Sequence, residues 1–225
     1  MGAEDFHEEY RGIFNTLATR YLVNDYVTER TKVLFILESP HVQELKYGAP
    51  VSGSSGASMS RHLFGERYAH LPLGLIVKKN VDEALRRPSI DRVGLMNVCQ
   101  IPLQAVAYAD AALTARHAEF FSALATVRTA GGTGAFTDPR KHAVQQIIIG
   151  SIRRKLVKLQ GQELFLVPCG RFAQSFFRLA AVTSPLWHVI DQVPHPSYNN
   201  WSKPQYAAAV ERVKQICADR VPMQP

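Results

Sequence analysis

Residues 33–56 read VLFILESPHVQELKYGAPVSGSSG, and this stretch decides the fold prediction. It begins with the apolar run VLFIL, which predicts a buried strand. The run stops at Glu38, and a loop rich in glycine and serine follows, with a second carboxylate at Glu44. A buried strand that ends in a carboxylate, before a loop whose N–H groups can approach a ligand, is typical of an active site on an open α/β sheet.

The rest of the chain alternates between predicted strands and predicted helices. Further strands are predicted at 92–98, 163–168 and 187–193. Helices are predicted at 5–28, 59–64, 110–128, 139–159, 170–181 and 205–220. Short strands separated by helical segments favour an α/β fold, a three-layer α/β/α sandwich with a central four-stranded parallel sheet. Ligands bind beyond the carboxyl ends of such strands, so the loops that follow them are expected to form one active site.

The length and the apolar content of the chain indicate one domain. A chain of 225 residues suffices for one sizeable α/β domain, and we assign residues 1–225 to it. Residues 1–30 form its N-terminal helical segment, and the glycine-rich stretch 129–139 is expected to be a flexible linker loop. The apolar stretches are too short to span a membrane, and the N-terminus lacks the apolar core of a secretory signal. We therefore expect a cytoplasmic monomer without a membrane partner.

The cysteines indicate neither a disulfide framework nor a metal site. Cys99, Cys169 and Cys217 lie far apart in the sequence and have no CxxC spacing. A sparse, odd set of this kind indicates reduced thiols. Cys169 precedes a predicted helix, where a thiol can be activated; a buried, unreactive side chain is the alternative. No metal ligands are predicted.

The charge of the chain favours an anionic partner. The formal net charge is +7, and basic residues crowd the segments 78–92 and 153–158. A basic surface attracts polyanions, nucleic acid first. The alternative is a solvated helix face that keeps the protein soluble.

Three motifs relate the chain to a known family. The first is the segment 37–56, which aligns without a gap to the form GEAPGxxEDxxGxPFVGxxG, matching it at Glu38, Pro40, Glu44, Gly48, Pro50, Gly53 and Gly56. The second is Asn97 at the end of the second predicted strand, and the third is His195-Pro196-Ser197 after the last strand. In these motifs, and in the LFLVPCGRFAQSFF stretch, the chain resembles the uracil-DNA glycosylase superfamily, most closely its thermostable iron–sulfur branch.

The resemblance implies a glycosylase-like fold over about residues 30–215, with DNA as the partner. The chain departs from the motif at Leu37, His41, Leu45 and Val51. The family's stacking phenylalanine falls at Val51, which cannot stack on a base. The cysteines that hold the family's iron–sulfur cluster are absent, so no cluster and no other cofactor are expected. Ser39 stands where the classical uracil glycosylases carry a catalytic aspartate, so catalysis by a carboxylate at this position is excluded.

The chemistry of base release assigns roles to the strand-end residues. Cleavage of an N-glycosidic bond builds positive charge on the sugar and negative charge on the departing base. We expect Glu38 to stabilise the cation or to orient water, and His195 to donate a hydrogen bond to the developing anion. Glu44 is the third catalytic candidate, as a helper or as a filter against a 5-methyl group. Asn97 offers the donor and acceptor that suit the edge of a pyrimidine.

Further residues are expected to bind the base or the DNA. The other substrate-binding candidates are His41, Ser39, Pro40, Tyr47, Val51 and Ser197. In place of the missing ring, Tyr47, Phe64 or His41 is a candidate to stack on the base. The candidates for DNA contact are Ser52, Ser54, Ser55, Tyr198, Asn199, Asn200 and Trp201. The last four are candidates for a wedge in the duplex, and Trp201 is alternatively a core residue.

Three functions are compatible with this pattern. The first is a DNA glycosylase that releases uracil or another deaminated or damaged base. The second is a module with a glycosylase fold that binds nucleic acid without cutting it, which Val51 and the altered first motif favour. The third is an unrelated hydrolase that acts on a free nucleoside or nucleotide through the same loops.

Overall fold

The computed structural model describes residues 3–132 and 134–220. In these ranges the chain forms a parallel sheet whose strands are β1 (Val33–Leu37), β2 (Val93–Asn97), β3 (Leu164–Pro168) and β4 (Trp187–Val189). Its helices are α1 (Ala3–Tyr21), α2 (Val42–Tyr47), α3 (Ser54–Phe64), α4 (Leu73–Asp82), α5 (Pro88–Asp91), α6 (Ala111–Arg116), α7 (Ala118–Thr129), α8 (Pro139–Val157), α9 (Gly170–Ala180) and α10 (Ala207–Arg220). Short 3-10 helices lie at Glu66–Tyr68, Ala105–Ala107, Ser197–Ser202 and Pro204–Tyr206.

The strand order places β1 at the centre of the sheet. The order is β2-β1-β3-β4, and all three pairings are parallel. In the register, Leu37 of β1 lies opposite Asn97 of β2, and Ile36 lies opposite Pro168 of β3. The strands therefore end together, and the segments that leave them emerge along one edge. This confirms the predicted α/β class with a four-stranded parallel sheet.

Two hydrophobic cores cover the two faces of the sheet. Alternate residues of β1 point to opposite faces, because successive side chains of a strand do so. Leu34 and Ile36 belong to a core with helices α1, α7, α8 and α9. Phe35 and Leu37 belong to a second core with α3, α4, α10 and Trp201. Helices on both faces are what a three-layer α/β/α sandwich requires.

Two predicted elements extend further than the observed ones. The strand predicted at 187–193 ends at Val189, because β4 is the edge strand and Gln192 adopts a left-handed conformation (φ 64°). The helix predicted at 5–28 ends at Tyr21. The chain then runs extended, and Tyr26 exchanges two backbone hydrogen bonds of 2.8 Å with Leu95 of β2. Tyr26 also contributes its ring to the second core, and this packing holds the segment against the edge of the sheet.

Other predicted helices and loops also differ in detail from the observed elements. The helix predicted at 110–128 is broken at His117 into α6 and α7, and the loop after β1 contains α2. The loop predicted to be flexible, 129–139, is held at two points. The Gln145 side-chain amide donates 3.0 Å hydrogen bonds to the carbonyl oxygens of Gly132 and Gly134.

Among the helices in the described ranges, none combines the length and the apolar character needed to cross a bilayer.

Candidate active site

Glu38 and His195 meet at the carboxyl edge of the sheet. Glu38 directly follows β1, and His195 lies six residues beyond β4, after a segment that runs over the end of β3. Both side chains line a cavity of about 690 Å³ and also a neighbouring one of about 490 Å³. Arg128 and Asn200 also line both cavities. The structure therefore brings together the two catalytic candidates that the sequence places farthest apart.

Arg128 is the functional candidate that sequence reasoning missed. It lies in the last turn of α7, and its Nε donates a hydrogen bond to Glu38 Oε1 in a partly buried ion pair. The pair fixes the Glu38 carboxylate at the boundary between the two cavities. No motif marks Arg128 in the sequence. A basic residue is common near a helix C-terminus, where it interacts favourably with the helix dipole, so its presence there does not indicate a functional role. The glycine-rich stretch after α7 indicates that the backbone at the end of this helix lies very close to another part of the protein.

The position of His195 depends on Gly170. Gly170 begins α9 with a φ of +85°, and a Cβ atom there would lie 2.7 Å from His195 Cβ. Both the left-handed backbone and the close approach require glycine. The backbone N–H of Ser197 donates to His195 Nδ1 at 3.3 Å, which assigns the imidazole proton to Nε2.

His195 is set to act as a neutral hydrogen-bond donor. Burial lowers the pKa of its imidazole; Glu38 acts in the opposite direction, and Arg128 lowers the pKa further. At neutral pH the ring is therefore uncharged, with Nε2–H as its donor. A neutral donor beside a carboxylate and an arginine can stabilise negative charge that develops in the cavity.

Glu44 holds the loop after β1 through hydrogen bonds to its backbone. One carboxylate oxygen accepts a 2.8 Å hydrogen bond from the backbone N–H of His41, and the other accepts one from Val51. Burial raises the pKa of Glu44 to about 7, against the effect of these two hydrogen bonds. Through these two hydrogen bonds Glu44 fixes the start of α2 and the turn at Val51, and its role as a catalytic helper or a filter stays a prediction. It still lines the larger cavity.

Asn97, which is predicted to read a base, lies at the buried end of β2. Asn97 is fully buried and is not among the residues that line either cavity. Its backbone N–H donates to Asp25 Oδ1 at 2.9 Å, and its carbonyl accepts from Lys155 Nζ. Asp25 and Lys155 also form an ion pair of 3.0 Å, so they hold the end of β2 through its main chain. The side-chain amide has no hydrogen-bond partner in the described structure.

One of the three candidates for a stacking group lies in the cavity. His41 lines the larger cavity, and Ser39 lies beside it. Tyr47 is 40% exposed with Lys46 over its ring, and it is not a lining residue. Phe64 packs against Tyr68 with ring centroids 5.6 Å apart, also outside the cavity.

Val51 and Pro40 shape the loop after β1. Val51 is buried and has a φ of 48°, and it borders the larger cavity without offering a ring. Pro40 is buried and is not a lining residue. A Cβ atom on Gly56 would lie 1.7 Å from the carbonyl oxygen of Val51, so glycine is required where α3 crosses this turn.

The serine-rich loop divides into a buried and an accessible part. Ser54 and Ser55 begin α3 and line the larger cavity, and Ser55 Oγ lies 3.0 Å from Ser197 Oγ. Ser52 is buried, and its hydroxyl donates to the carbonyl oxygen of Ala49. The predicted phosphate contact by Ser52 is therefore corrected, whereas Ser54 and Ser55 lie where a ligand can reach them.

The segment after His195 contributes one exposed aromatic residue and one buried one. Tyr198 is 90% exposed and lines the rim of the larger cavity. Trp201 is 2% exposed, and its Nε1–H donates to the carbonyl oxygen of Pro194 at 3.0 Å. Trp201 is therefore a core residue, and its alternative prediction as part of a DNA wedge is corrected. Asn200 faces both cavities, and its amide donates to the carbonyl oxygen of His195.

The three cysteines are buried thiols in the described structure. Burial raises the pKa of Cys99 to about 11 and that of Cys217 to about 12. Cys169 is buried, and this burial raises the pKa of its thiol, which favours the buried, unreactive alternative over an activated thiol. Within residues 3–132 and 134–220, no group of three or more His, Cys, Asp or Glu side chains is placed to hold a metal ion.

The smaller cavity has a cationic character. Arg128 and Arg171 line it together with the amides of Gln174 and Gln192, and Glu38 is the one carboxylate among its lining residues. An anionic group can therefore be received on one side of Glu38 and His195.

Comparisons with protein-family models and with curated proteins found no match to this chain.

Proposed function

We propose that the protein is a DNA glycosylase-like hydrolase that cleaves the N-glycosidic bond of uracil or another deaminated or damaged base in DNA. The sandwich is, in this proposal, a variant of the uracil-DNA glycosylase fold. One observation carries the proposal: Glu38 and His195 lie on a common cavity at the carboxyl edge of a parallel sheet. This is the edge where α/β sheets bind ligands.

The arrangement suits the charges that develop when the bond breaks. The C1′–N bond breaks and its electron pair leaves with the base, while water adds its hydroxyl group to C1′ and its remaining proton ends on the released base. Glu38 faces the sugar, where it stabilises the cation or orients that water, and Arg128 fixes its position. His195 donates from Nε2 to the base as negative charge develops there. The cavity of about 690 Å³ has the size of an ordinary small-molecule site.

The polar rim and the charge of the chain suit a nucleic acid. Ser54, Ser55 and Ser197 line the cavity with hydroxyl groups that can contact phosphates. Arg128 and Arg171 give the neighbouring cavity a cationic lining. With a net charge of +7, the protein attracts the polyanion from a distance.

Base release from defined oligonucleotides tests this proposal. Labelled single-stranded and duplex DNA, each holding one uracil, hypoxanthine, xanthine or alkylated base, is incubated with the protein and with Glu38→Gln. We expect alkali-sensitive cleavage at one lesion, and its loss in Glu38→Gln. The substitution keeps the size of the side chain and a hydrogen bond to Arg128, so loss of folding does not explain lost activity.

A non-catalytic binding module is the second candidate function. Two observations favour it: Val51 offers no ring, and Asn97 does not reach the cavity. The same experiment separates the two functions. DNA binding at low salt without release of any base, in the protein and in Glu38→Gln alike, establishes the module and overturns the glycosylase.

A further inference from the structure

A third cavity lies between helices α1 and α8, apart from the candidate active site. Its volume is about 400 Å³, and it shares no lining residue with the larger and smaller cavities at the sheet edge. On α1 it is lined by His7, Arg11 and Phe14, which lie three or four positions apart and therefore on one face of the helix. On α8 it is lined by Gly150 and Arg154, which are also four positions apart. We call this cavity the α1–α8 groove.

The α1–α8 groove has a cationic lining. Arg11 and Arg154 both line it, and neither forms an ion pair with another described residue. Its described lining contains no aspartate or glutamate, and the carboxylates of Glu8 and Glu9 on α1 lie outside it. A guanidinium group offers forked donors that match the oxygens of an anion. Two arginines without a carboxylate partner therefore favour an anionic ligand.

The number of charges in the groove indicates which anion it suits. Burial lowers the pKa of the His7 imidazole, and the charges of Arg11 and of His142 on α8 lower it further. The ring is therefore uncharged at neutral pH, and the positive charge comes from the two arginines. A phosphate monoester carries nearly two negative charges at this pH, whereas a carboxylate carries one. The groove therefore matches a phosphate monoester better than a carboxylate.

The same groove has an apolar part that can contact the rest of the ligand. Phe14, Leu22 and Ile147 line it, and Leu22 is 43% exposed. A ligand body that covers these side chains removes apolar surface from water, which favours binding. The volume of the groove is that of an ordinary small-molecule site.

We propose that the α1–α8 groove is a second ligand site, which binds a small phosphate monoester with an apolar or aromatic body. In this proposal Arg11 and Arg154 hold the phosphate oxygens, and Phe14, Leu22 and Ile147 contact the body. The site is independent of the proposed glycosylase activity, because none of its residues lines the cavities that contain Glu38 and His195.

Calorimetric titration with three simple probes tests the ligand class. Phenyl phosphate has both the dianion and an aromatic body, inorganic phosphate lacks the body, and benzoate has the body with a single charge. We expect phenyl phosphate to bind about tenfold more tightly than either of the other two. Equal affinity for inorganic phosphate would contradict the apolar contact, and equal affinity for benzoate would contradict the match of charges. No binding of phenyl phosphate overturns the proposal.

Substitutions on both helices test where the probe binds. Arg11 and Arg154 are exposed on their helices, so replacing either one by glutamine should leave the fold intact. We expect phenyl phosphate to bind about tenfold more weakly to Arg11→Gln and to Arg154→Gln. Arg20→Gln is the matched control, because Arg20 lies on α1 outside the groove and makes only an exposed ion pair with Asp110. Native affinity in both groove variants, or a loss confined to Arg171→Ala in the smaller cavity, overturns the proposal.

The imidazole of His7 provides a second readout that does not depend on affinity. A bound phosphate adds negative charge beside the ring and opposes the effects of Arg11 and His142, so the pKa of His7 should rise. NMR titration of the ring with and without saturating phenyl phosphate measures this change. Saturation that leaves the pKa of His7 unchanged shows that the probe binds elsewhere and overturns the proposed site.

Discussion

At the scale of single residues, the site depends on three side chains with linked charges. Glu38 and Arg128 form an ion pair, and His195 lies close enough to both for its pKa to respond to them. The carboxylate of Glu38 and the neutral imidazole of His195 line the same cavity, and Arg128 balances the charge of the carboxylate. Burial disfavours the charged imidazole, and the opposite charges of the pair partly cancel at the ring.

The first prediction concerns the pKa of His195. Arg128→Gln removes a positive charge that lowers this pKa, so the pKa should rise; Glu38→Gln removes a negative charge that raises it, so the pKa should fall. NMR titration of the imidazole in the three proteins measures both shifts. An unchanged pKa in both variants, or shifts of the same sign, would show that the three groups do not lie together.

The second prediction concerns Glu44 and pH. Its pKa is raised to about 7 in the folded protein from an ordinary value of 4.5, so the folded state binds the proton more tightly than the unfolded state. The stabilisation from this proton is complete below pH 4.5 and is lost as the pH rises through about 7. The unfolding free energy of the native protein minus that of Glu44→Gln should therefore fall from pH 5 to pH 8. Urea unfolding at several pH values measures it; a difference that rises over this range contradicts the prediction.

At the residue scale, the sequence indicated that Glu38 and His195 lie close together, because each follows a predicted parallel strand and the carboxyl ends of such strands share one edge of the sheet. Their catalytic roles belong to the proposed function. Arg128 was missed because its partner is 90 residues away and depends on how α7 docks. The burial of the Asn97 side chain was not predicted, because a position at a strand end does not by itself show whether the side chain reaches the surface.

At the scale of elements, β1 was the most predictable part, whereas the loop after it contains the helix α2 that was not predicted. Val33–Leu37 is central and buried, so its apolar run matches the strand bounds. β4 is an edge strand with partial exposure, and its sequence does not show where pairing stops. Residues of the segment 197–202 were predicted to contact DNA. Within its 3-10 turn some side chains are exposed and others are buried, and the composition of the segment does not show which are which.

The third prediction separates the two roles considered for Trp201. As a buried core residue with a hydrogen bond to Pro194, Trp201→Ala should lower the unfolding free energy by about 3 to 5 kcal/mol. Trp201→Phe keeps much of the packing and should cost about 1 kcal/mol for the lost hydrogen bond. Urea unfolding measures both. A tryptophan exposed as a wedge would leave stability nearly unchanged in either variant.

At the scale of the whole molecule, both cavities lie at the carboxyl edge of the sheet, in a chain that carries an excess of basic residues. One face carries the meeting point of Glu38 and His195, with the serine rim on one side and the arginine-lined cavity on the other. A polyanion that lies across this face can place one group in the larger cavity and a phosphate near Arg171.

The fourth prediction is that DNA affinity depends on salt through this face. The dissociation constant should rise roughly tenfold or more between about 50 and 200 mM salt. Arg171→Ala should reduce the logarithmic salt slope by about one, since it removes one phosphate contact. Arg178→Ala, at the far end of the same helix, is the matched control and should keep the native slope. Fluorescence anisotropy measures the slopes; affinity that is independent of salt, or equal slopes for both variants, excludes this surface.

In the proposed function, Glu38 and His195 direct the hydrolysis of an N-glycosidic bond. The most direct test is a reaction in ¹⁸O-labelled water with the DNA substrate identified by base release, followed by mass spectrometry of both products. We predict an unmodified free base and an abasic sugar that carries ¹⁸O at C1′, with Glu38→Gln forming neither. A base that itself gains ¹⁸O, or a free base formed equally by Glu38→Gln, would contradict the proposed hydrolysis.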